Sequence, residues 1–462
     1  MTAILAIAAL AISAAALDLP TKTLNGTKYY YYKVKKNETV YGVSKKLGLT
    51  REEIVAHNPA ADDGIKKGMI LYFPYDDYSP EQQQQLAIEV EPEEPEEEVL
   101  APKQASIAVL LPFGLTNEEP SRSNRLALDF YKGFLMAADT LASRSGALTI
   151  TAIDTDVPAA ELDTALVQAA VREAAVIVAP DNEAVYNRLA ASARDNGNYV
   201  LNVFIVADSL YAVNPQVLQA NIPQRDMYRL AVDAFEQDFD GYTPVILRNR
   251  SGRNEKEAFV NYLIGRCSQR GVTPVEISYD GNLVAADLDV LPADAGQKYV
   301  MVPSSGSLAE FHKFAYVVKA MRDRLAASAE GAAIEVFGYP DWTAFRGDNL
   351  DTLNKLEATV YSRFFDNFDS FDSKCLQGEF RRWYGSEIIE SIPSQAVLGY
   401  DTGCFLIKNL RANDGAFNPL SPRTYNGMQS TFDFDKSDEG YFNSSLYIIK
   451  FNSNGTMISR VI

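Results

Sequence analysis

The chain has 462 residues, with 43 Lys and Arg against 61 Asp and Glu, for a formal net charge of −18. That balance offers no basic excess to neutralise a phosphate backbone and argues against nucleic acid as the main partner. With 47% hydrophobic and 23% charged residues the chain can build a sizeable core, and its length calls for two or three folding units rather than one.

Met1 to Ala16 is almost wholly apolar and ends in the small residues Ala14-Ala15-Ala16. It is too short to span a bilayer and matches the core and cleavage site of a signal peptide. Export is therefore expected, with residues 1–16 removed. No later run is long and apolar enough for a membrane helix, so no span is expected after that removal. Cys267, Cys375 and Cys404 are far apart and odd in number, which fits buried thiols packing as small hydrophobes better than a disulfide framework.

Residues 28–75 carry nine Lys or Arg against five Asp or Glu. Their order reads strand, helix, helix, strand. Tyr31 to Lys35 is a short aromatic and β-branched strand. Val40, Val43 and Leu47 recur at helical spacing. Thr50 with Glu53 makes a capping box for a second helix, and Asn58-Pro59 ends it. Met69 to Phe73 closes the unit.

From Tyr31 to Pro74 these residues resemble the LysM family closely. The match includes the opening Tyr-x-Val, a hydroxyl residue before the first helix, Asn-Pro after the second, and the closing Gly68, Leu71 and Pro74. The resemblance implies a β-α-α-β fold that binds N-acetylglucosamine-containing glycans such as peptidoglycan. In that family the glycan groove lies between the loop after the first strand and the loop before the second. The candidate glycan contacts are therefore Asn37, Glu38 and Thr39, with Asn58, Pro59, Ala60 and Ala61. The family usually has Gly-Asp where this chain has Asn37-Glu38. Asn tolerates a left-handed backbone, so the turn survives, and the longer Glu38 sits at the groove.

Residues 76–104 form an acidic strap, with eight Glu against one Lys over 79–104 and spaced prolines in the run Glu91 to Glu98. Low hydrophobicity and like charge give no core. A disordered linker is expected, extended by its own repulsion.

From Ser106 strands and helices alternate. Strands are expected at Ser106–Phe113, Leu148–Asp154, Ala175–Ala179 and Tyr199–Val206, with helices between them. The rhythm restarts at Arg225, with strands at Pro244–Arg248, Pro274–Tyr279, Tyr299–Pro303 and Ile334–Gly338. Such β-α-β-α order gives parallel sheets covered on both faces, here two doubly wound sheets in a bilobed α/β domain over 105–462. Lobe one is expected at about 105–220 plus part of 355–462, and lobe two at about 221–354. Near the end, Asn454-Gly455 reads as a hairpin turn.

This body resembles the type I periplasmic-binding-protein superfamily, the fold of branched-chain amino acid receptors. The features that carry the likeness are the strand Ile107 to Pro112 leading to Leu126–Phe134, Phe337-Gly-Tyr-Pro-Asp-Trp342, and Gly399-Tyr-Asp-Thr-Gly403. The fold also occurs in activators of penicillin-binding proteins, and the LysM-like unit points toward such wall-associated members.

Ligands of open α/β sheets sit beyond the carboxyl ends of the strands. The candidate cleft residues are Phe113, Asp154, Asp181, Asn182, Arg248, Ser304, Ser305, Tyr339 and Trp342. Amino acid receptors of the superfamily hold the ligand carboxylate with hydroxyls and N–H groups just after the third strand. This chain has Pro180-Asp181-Asn182-Glu183 there, and each close carboxylate pair repels by about 1–4 kcal/mol depending on the local dielectric. A cationic or sugar ligand suits these crests better, with Tyr339 or Trp342 as a stacking surface, and Arg248 or Arg250 would serve a protein partner instead.

Catalysis is not expected. His57 and His312 are the only histidines, too few and too far apart for the clustered ligands of a zinc hydrolase. No metal or cofactor is implied. The leading reading is a non-enzymatic periplasmic protein anchored to peptidoglycan, binding a small ligand or a cell-wall synthesis protein through its body. A solute receptor for a transporter and a cell-wall hydrolase remain the alternatives.

Overall fold

A computed structural model describes residues 19–74 apart from 25–26, 37, 48, 52–53, 56–57, 59–60 and 62–63, and residues 105–462 apart from 143–147, 329 and 366–369. The expected signal segment 1–16 and the acidic linker 76–104 lie outside these. The described residues fall into two compact units, one before and one after residue 100.

In the first unit, β1 (Thr21–Leu24), β2 (Thr27–Lys33) and β3 (Ile70–Pro74) form an antiparallel sheet in that order. Along β2, Tyr30 and Tyr32 are buried while Tyr29 and Tyr31 are only partly so, the two-residue alternation of a half-buried strand. Helix α1 (Val40–Leu47) follows, and Thr39 Oγ1 caps it by accepting the Gly42 N–H at 3.1 Å. Arg51, Ile54 and Val55 are helical. Val43, Leu47, Ile54, Leu71 and Phe73 close the core against Tyr30. Strand β1 was not expected, because nothing in its polar sequence marks the edge it adds.

The second unit holds two sheets. Lobe one begins with β4 (Ala105–Leu111), β5 (Leu148–Asp154), β6 (Val176–Val178), β7 (Tyr199–Asn202) and β8 (Val217–Gln219), all parallel to their neighbours. Helices α2 (Arg122–Ala142), α3 (Ala159–Leu166), α4 (Ala169–Arg172) and α5 (Glu183–Asn196) connect the first four strands. Lobe two follows with α6 (Gln224–Asp238), β9 (Thr243–Asn249), α7 (Glu257–Gln269), β10 (Val275–Tyr279), β11 (Lys298–Pro303), α8 (Leu308–Ser328), β12 (Ala333–Gly338), α9 (Asp348–Leu356) and β13 (Thr359–Ser362). Its parallel strands run β10-β9-β11-β12-β13.

The chain then returns to lobe one as α10 (Phe371–Tyr384), α11 (Gln395–Ala412), β14 (Thr424–Asn426), β15 (Thr431–Lys436) and β16 (Tyr441–Asn443), with β16 pairing to β8. It ends in lobe two with β17 (Tyr447–Phe451) and β18 (Met457–Val461), antiparallel beside β13. Among the described residues the lobe-one sheet thus has eight strands and the lobe-two sheet seven. The chain crosses between lobes after β8, after β13 and between β16 and β17. Lobe two therefore extends beyond the expected 221–354 to take in β13, β17 and β18. Consecutive short antiparallel strands look alike locally, so their sequence does not say which sheet they join.

The Gly399–Gly403 motif has a packing reason. A Cβ at Gly399 would stand 1.8 Å from the Phe130 carbonyl oxygen, and one at Gly133 would stand 1.9 Å from that of Ala396. Only glycine lets α2 and α11 approach so closely. On α11, the buried Asp401 carboxylate accepts the N–H groups of Met428, Gln429 and Ser430 at 2.7–2.9 Å, tying the helix to the segment before β15.

Candidate functional site

In the N-terminal unit, the described candidate glycan residues serve their own backbone. Glu38 accepts the Tyr32 hydroxyl and the Lys35 N–H, both at 2.7 Å, and pairs with Lys46 Nζ at 3.2 Å. Burial alone would raise its pKa, but the Lys35 N–H, the Tyr32 hydroxyl and Lys46 together hold it below the usual carboxylate value. The side chain is thus folded back onto α1 and β2 rather than extended. Asn58 is buried. Its Oδ1 accepts the Tyr72 N–H at 2.7 Å and its Nδ2 donates to the Tyr72 carbonyl at 2.9 Å, so the amide stands in for a neighbouring strand. Ala61 is wholly buried, and Thr39 caps α1. Asn37, Pro59 and Ala60 lie outside the described residues.

The strand crests of the body behave alike. In lobe one, Asp154 accepts the N–H groups of Gly114, Leu115 and Asp156 at 2.8–3.1 Å. Asn182 caps α5 by accepting the Val185 N–H at 3.1 Å. Phe113 is buried, its ring edge-on to Tyr131 at 5.4 Å. Asp181 and Asn182 are both exposed. In lobe two, Arg248 makes ion pairs with Glu257 and Glu276. Arg250 pairs with Asp280 at 3.2 Å. The Ser304 hydroxyl lies within bonding distance of the Leu247 carbonyl and the Asn254 side-chain oxygen. Ser305 Oγ donates to Glu255 at 2.9 Å.

Tyr339 and Trp342 correct the expectation of a stacking surface. Both are 0% exposed. The Tyr339 hydroxyl donates to the Pro303 carbonyl at 2.5 Å and the Trp342 indole N–H to the Gly306 carbonyl at 3.0 Å. Their rings pack against Phe259, Phe311 and Phe345. A large ring is worth more buried than held at a cleft wall, and a backbone carbonyl meets its polar end. His312, weighed as a base, bonds Asn349 Oδ1 at 2.6 Å on an exposed helix face.

A concave feature with a mainly apolar lining lies on the flank of the lobe junction. It is a cavity of about 360 Å³, within the range of about 300–1,000 Å³ usual for ligand sites. Leu350 of α9, Ile449 of β17 and Met457 of β18 line it from lobe two, and Ile388, Ile389 and Val397 from lobe one. Phe364 and Phe365, just past β13, sit between them in the second crossing. Sequence reasoning missed this site. One signal was present: the segment Glu387-Ile-Ile-Glu-Ser-Ile-Pro393 places three isoleucines in an irregular stretch after α10, where polar residues are the rule.

No protein-family model matches the chain, and no curated protein matches it. Among solved structures, one assigned as a branched-chain amino acid ABC transporter of Rhodospirillum rubrum is 16% identical with a TM-score of 0.52, covering 78% of this chain and 100% of that one. The C-domain of LpoA from Haemophilus influenzae, a regulator of PBP1A, is 13% identical over 77% of this chain and 99% of that one, with a TM-score of 0.45. An ABC transporter substrate-binding protein of Desulfitobacterium hafniense, in complex with Leu, is 16% identical over 77% and 99%, with a TM-score of 0.41. The likeness to the Rhodospirillum protein, together with two parallel-dominated sheets joined by three crossings, gives the body a bilobed, type I periplasmic-binding-protein-like fold.

Proposed function

We propose that this chain is a non-enzymatic periplasmic protein, held to peptidoglycan by its N-terminal unit, whose bilobed body binds a small ligand or a cell-wall synthesis protein. The observation that carries the binding reading is the lobe junction. It presents a ligand-sized cavity walled by both lobes, while Asp154, Ser304 and Ser305 at the crests are bonded to neighbouring groups of the protein. That is an arrangement for holding something, not for transferring a proton or an acyl group. The LysM-like residues from Tyr31 to Pro74, and the local excess of Lys and Arg in 28–75, support the anchoring.

The anchoring is tested by sedimentation with insoluble peptidoglycan. The full chain should pellet with the wall, and a chain lacking residues 28–74 should stay in solution. Equal sedimentation of the two would refute it. A single module binds without the avidity of linked copies, so the retained fraction should fall on dilution. A solute receptor for amino acids would instead show saturable heat with leucine in calorimetry. None is expected, because Asp181 and Glu183 stand where such receptors grip the ligand carboxylate and would repel it.

A further inference from the structure

We propose that the flank cavity of the lobe junction is a binding site for an uncharged, apolar small molecule. This deepens the reading of the body as a binding domain and rests on it. The walls named above are hydrocarbon or aromatic on both sides. The charged and polar groups around the rim are mostly engaged at home. Arg346 Nη1 donates to the carbonyls of Thr343 and Phe345 at 2.8 and 2.9 Å. Glu387 is held by Arg381, in an ion pair with Oε1 at 2.5 Å. The Gln429 amide closes on Ser394 in both directions, accepting its N–H at 3.0 Å and donating to its carbonyl at 2.8 Å.

A ligand charge buried against these walls would lose its water to hydrocarbon and aromatic surface, a cost that selects against ions. Glu390, exposed at the mouth, adds repulsion for an anion. An apolar occupant meets neither cost and gains from every wall it covers. At about 360 Å³ the cavity is of small-molecule size and does not admit a folded partner's helix. Because its two walls belong to different lobes, the occupant also bridges them, and binding favours whichever lobe arrangement closes the walls on it.

The test is a fluorescence titration of the full chain with N-phenyl-1-naphthylamine, which is neutral and apolar, beside 8-anilinonaphthalene-1-sulfonate, which carries a negative charge. The neutral probe should bind saturably with one site per chain. The sulfonate should bind at least tenfold more weakly. Ile389→Glu and, on the opposite wall, Met457→Glu should each weaken the neutral probe at least tenfold while the far-ultraviolet circular dichroism is kept. Tyr316→Ala, an exposed change on α8, should leave binding as it was. Absence of saturable binding, equal affinity for the two probes, or binding indifferent to both wall variants would each overturn the proposal. Sedimentation with peptidoglycan is run on the same samples. A chain that pellets but does not take the probe loses this inference and keeps the anchoring.

Discussion

The strand crests and the flank of the lobe junction are built in opposite ways. At the crests, polar side chains abound, and most bond to main chain or charge on the same or a neighbouring segment: Asp154 to three N–H groups, Ser305 to Glu255, Arg248 to two glutamates. At the flank, isoleucine, leucine and phenylalanine line open space. A polar residue at the end of a strand is first a device for satisfying a turn. Apolar residues left facing a cavity have no such local use, which makes them the better pointer to a ligand. The N-terminal unit repeats the lesson, since Glu38 and Asn58 are both bonded to their own backbone.

This contrast breaks most easily at Trp342. If the ring is core, Trp342→Ala should destabilise the body by about 3–5 kcal/mol, as a large-to-small change does, read as a fall in the urea midpoint. A ring that merely stacked on a ligand would leave the midpoint in place. Next in size is Asp154→Ala. It strands three main-chain N–H groups and should cost about 1–3 kcal/mol by the same measurement, the usual penalty for orphaned donors. An unchanged midpoint would return this carboxylate to the list of ligand contacts.

A smaller effect is expected at Glu38, whose carboxyl is held below its usual pKa in the folded state. Its contribution to stability is present above the ordinary carboxylate value of about 4.3 and is lost as pH falls through the depressed folded value. Hydrogen exchange over residues 27–47 should therefore be faster in Glu38→Gln than in the unaltered chain at pH 6. The difference should vanish near pH 3; if it persists there, the loss owes nothing to the charge. Smallest of all is Asp181→Ala. The side chain is exposed, and the change should stay within about 0.5 kcal/mol, as surface substitutions do. A larger loss would show that Asp181, too, is tied into its loop.

The sequence alone gave the alternation of strands and helices through most of the body, because buried parallel strands and amphipathic helices carry their periods locally. The strands expected at Leu148–Asp154 and Ile334–Gly338 fall where those patterns put them. It also marked the stretches Leu126–Phe134 and Gly399–Gly403 as notable without saying why, since the reason, the close approach at Gly133 and Gly399, lies in another helix's backbone. The type of residue at each crest was legible as well.

What only the tertiary structure decided is who uses those residues. Whether Asp154 faces a ligand or three N–H groups depends on how the loop after β4 folds over it. Whether Trp342 is wall or core depends on Phe311 and Phe345, which lie on either side of it in sequence and meet only when α8 packs on its sheet. The same holds for the last strands. β17 and β18 share a local pattern with β14 to β16, yet lie in the other lobe, and through that placement Ile449 and Met457 come to face Ile388 and Ile389 across the cavity. Periodicity is set by neighbours in the chain, whereas a site is set by neighbours in space, and these come from segments well separated along it.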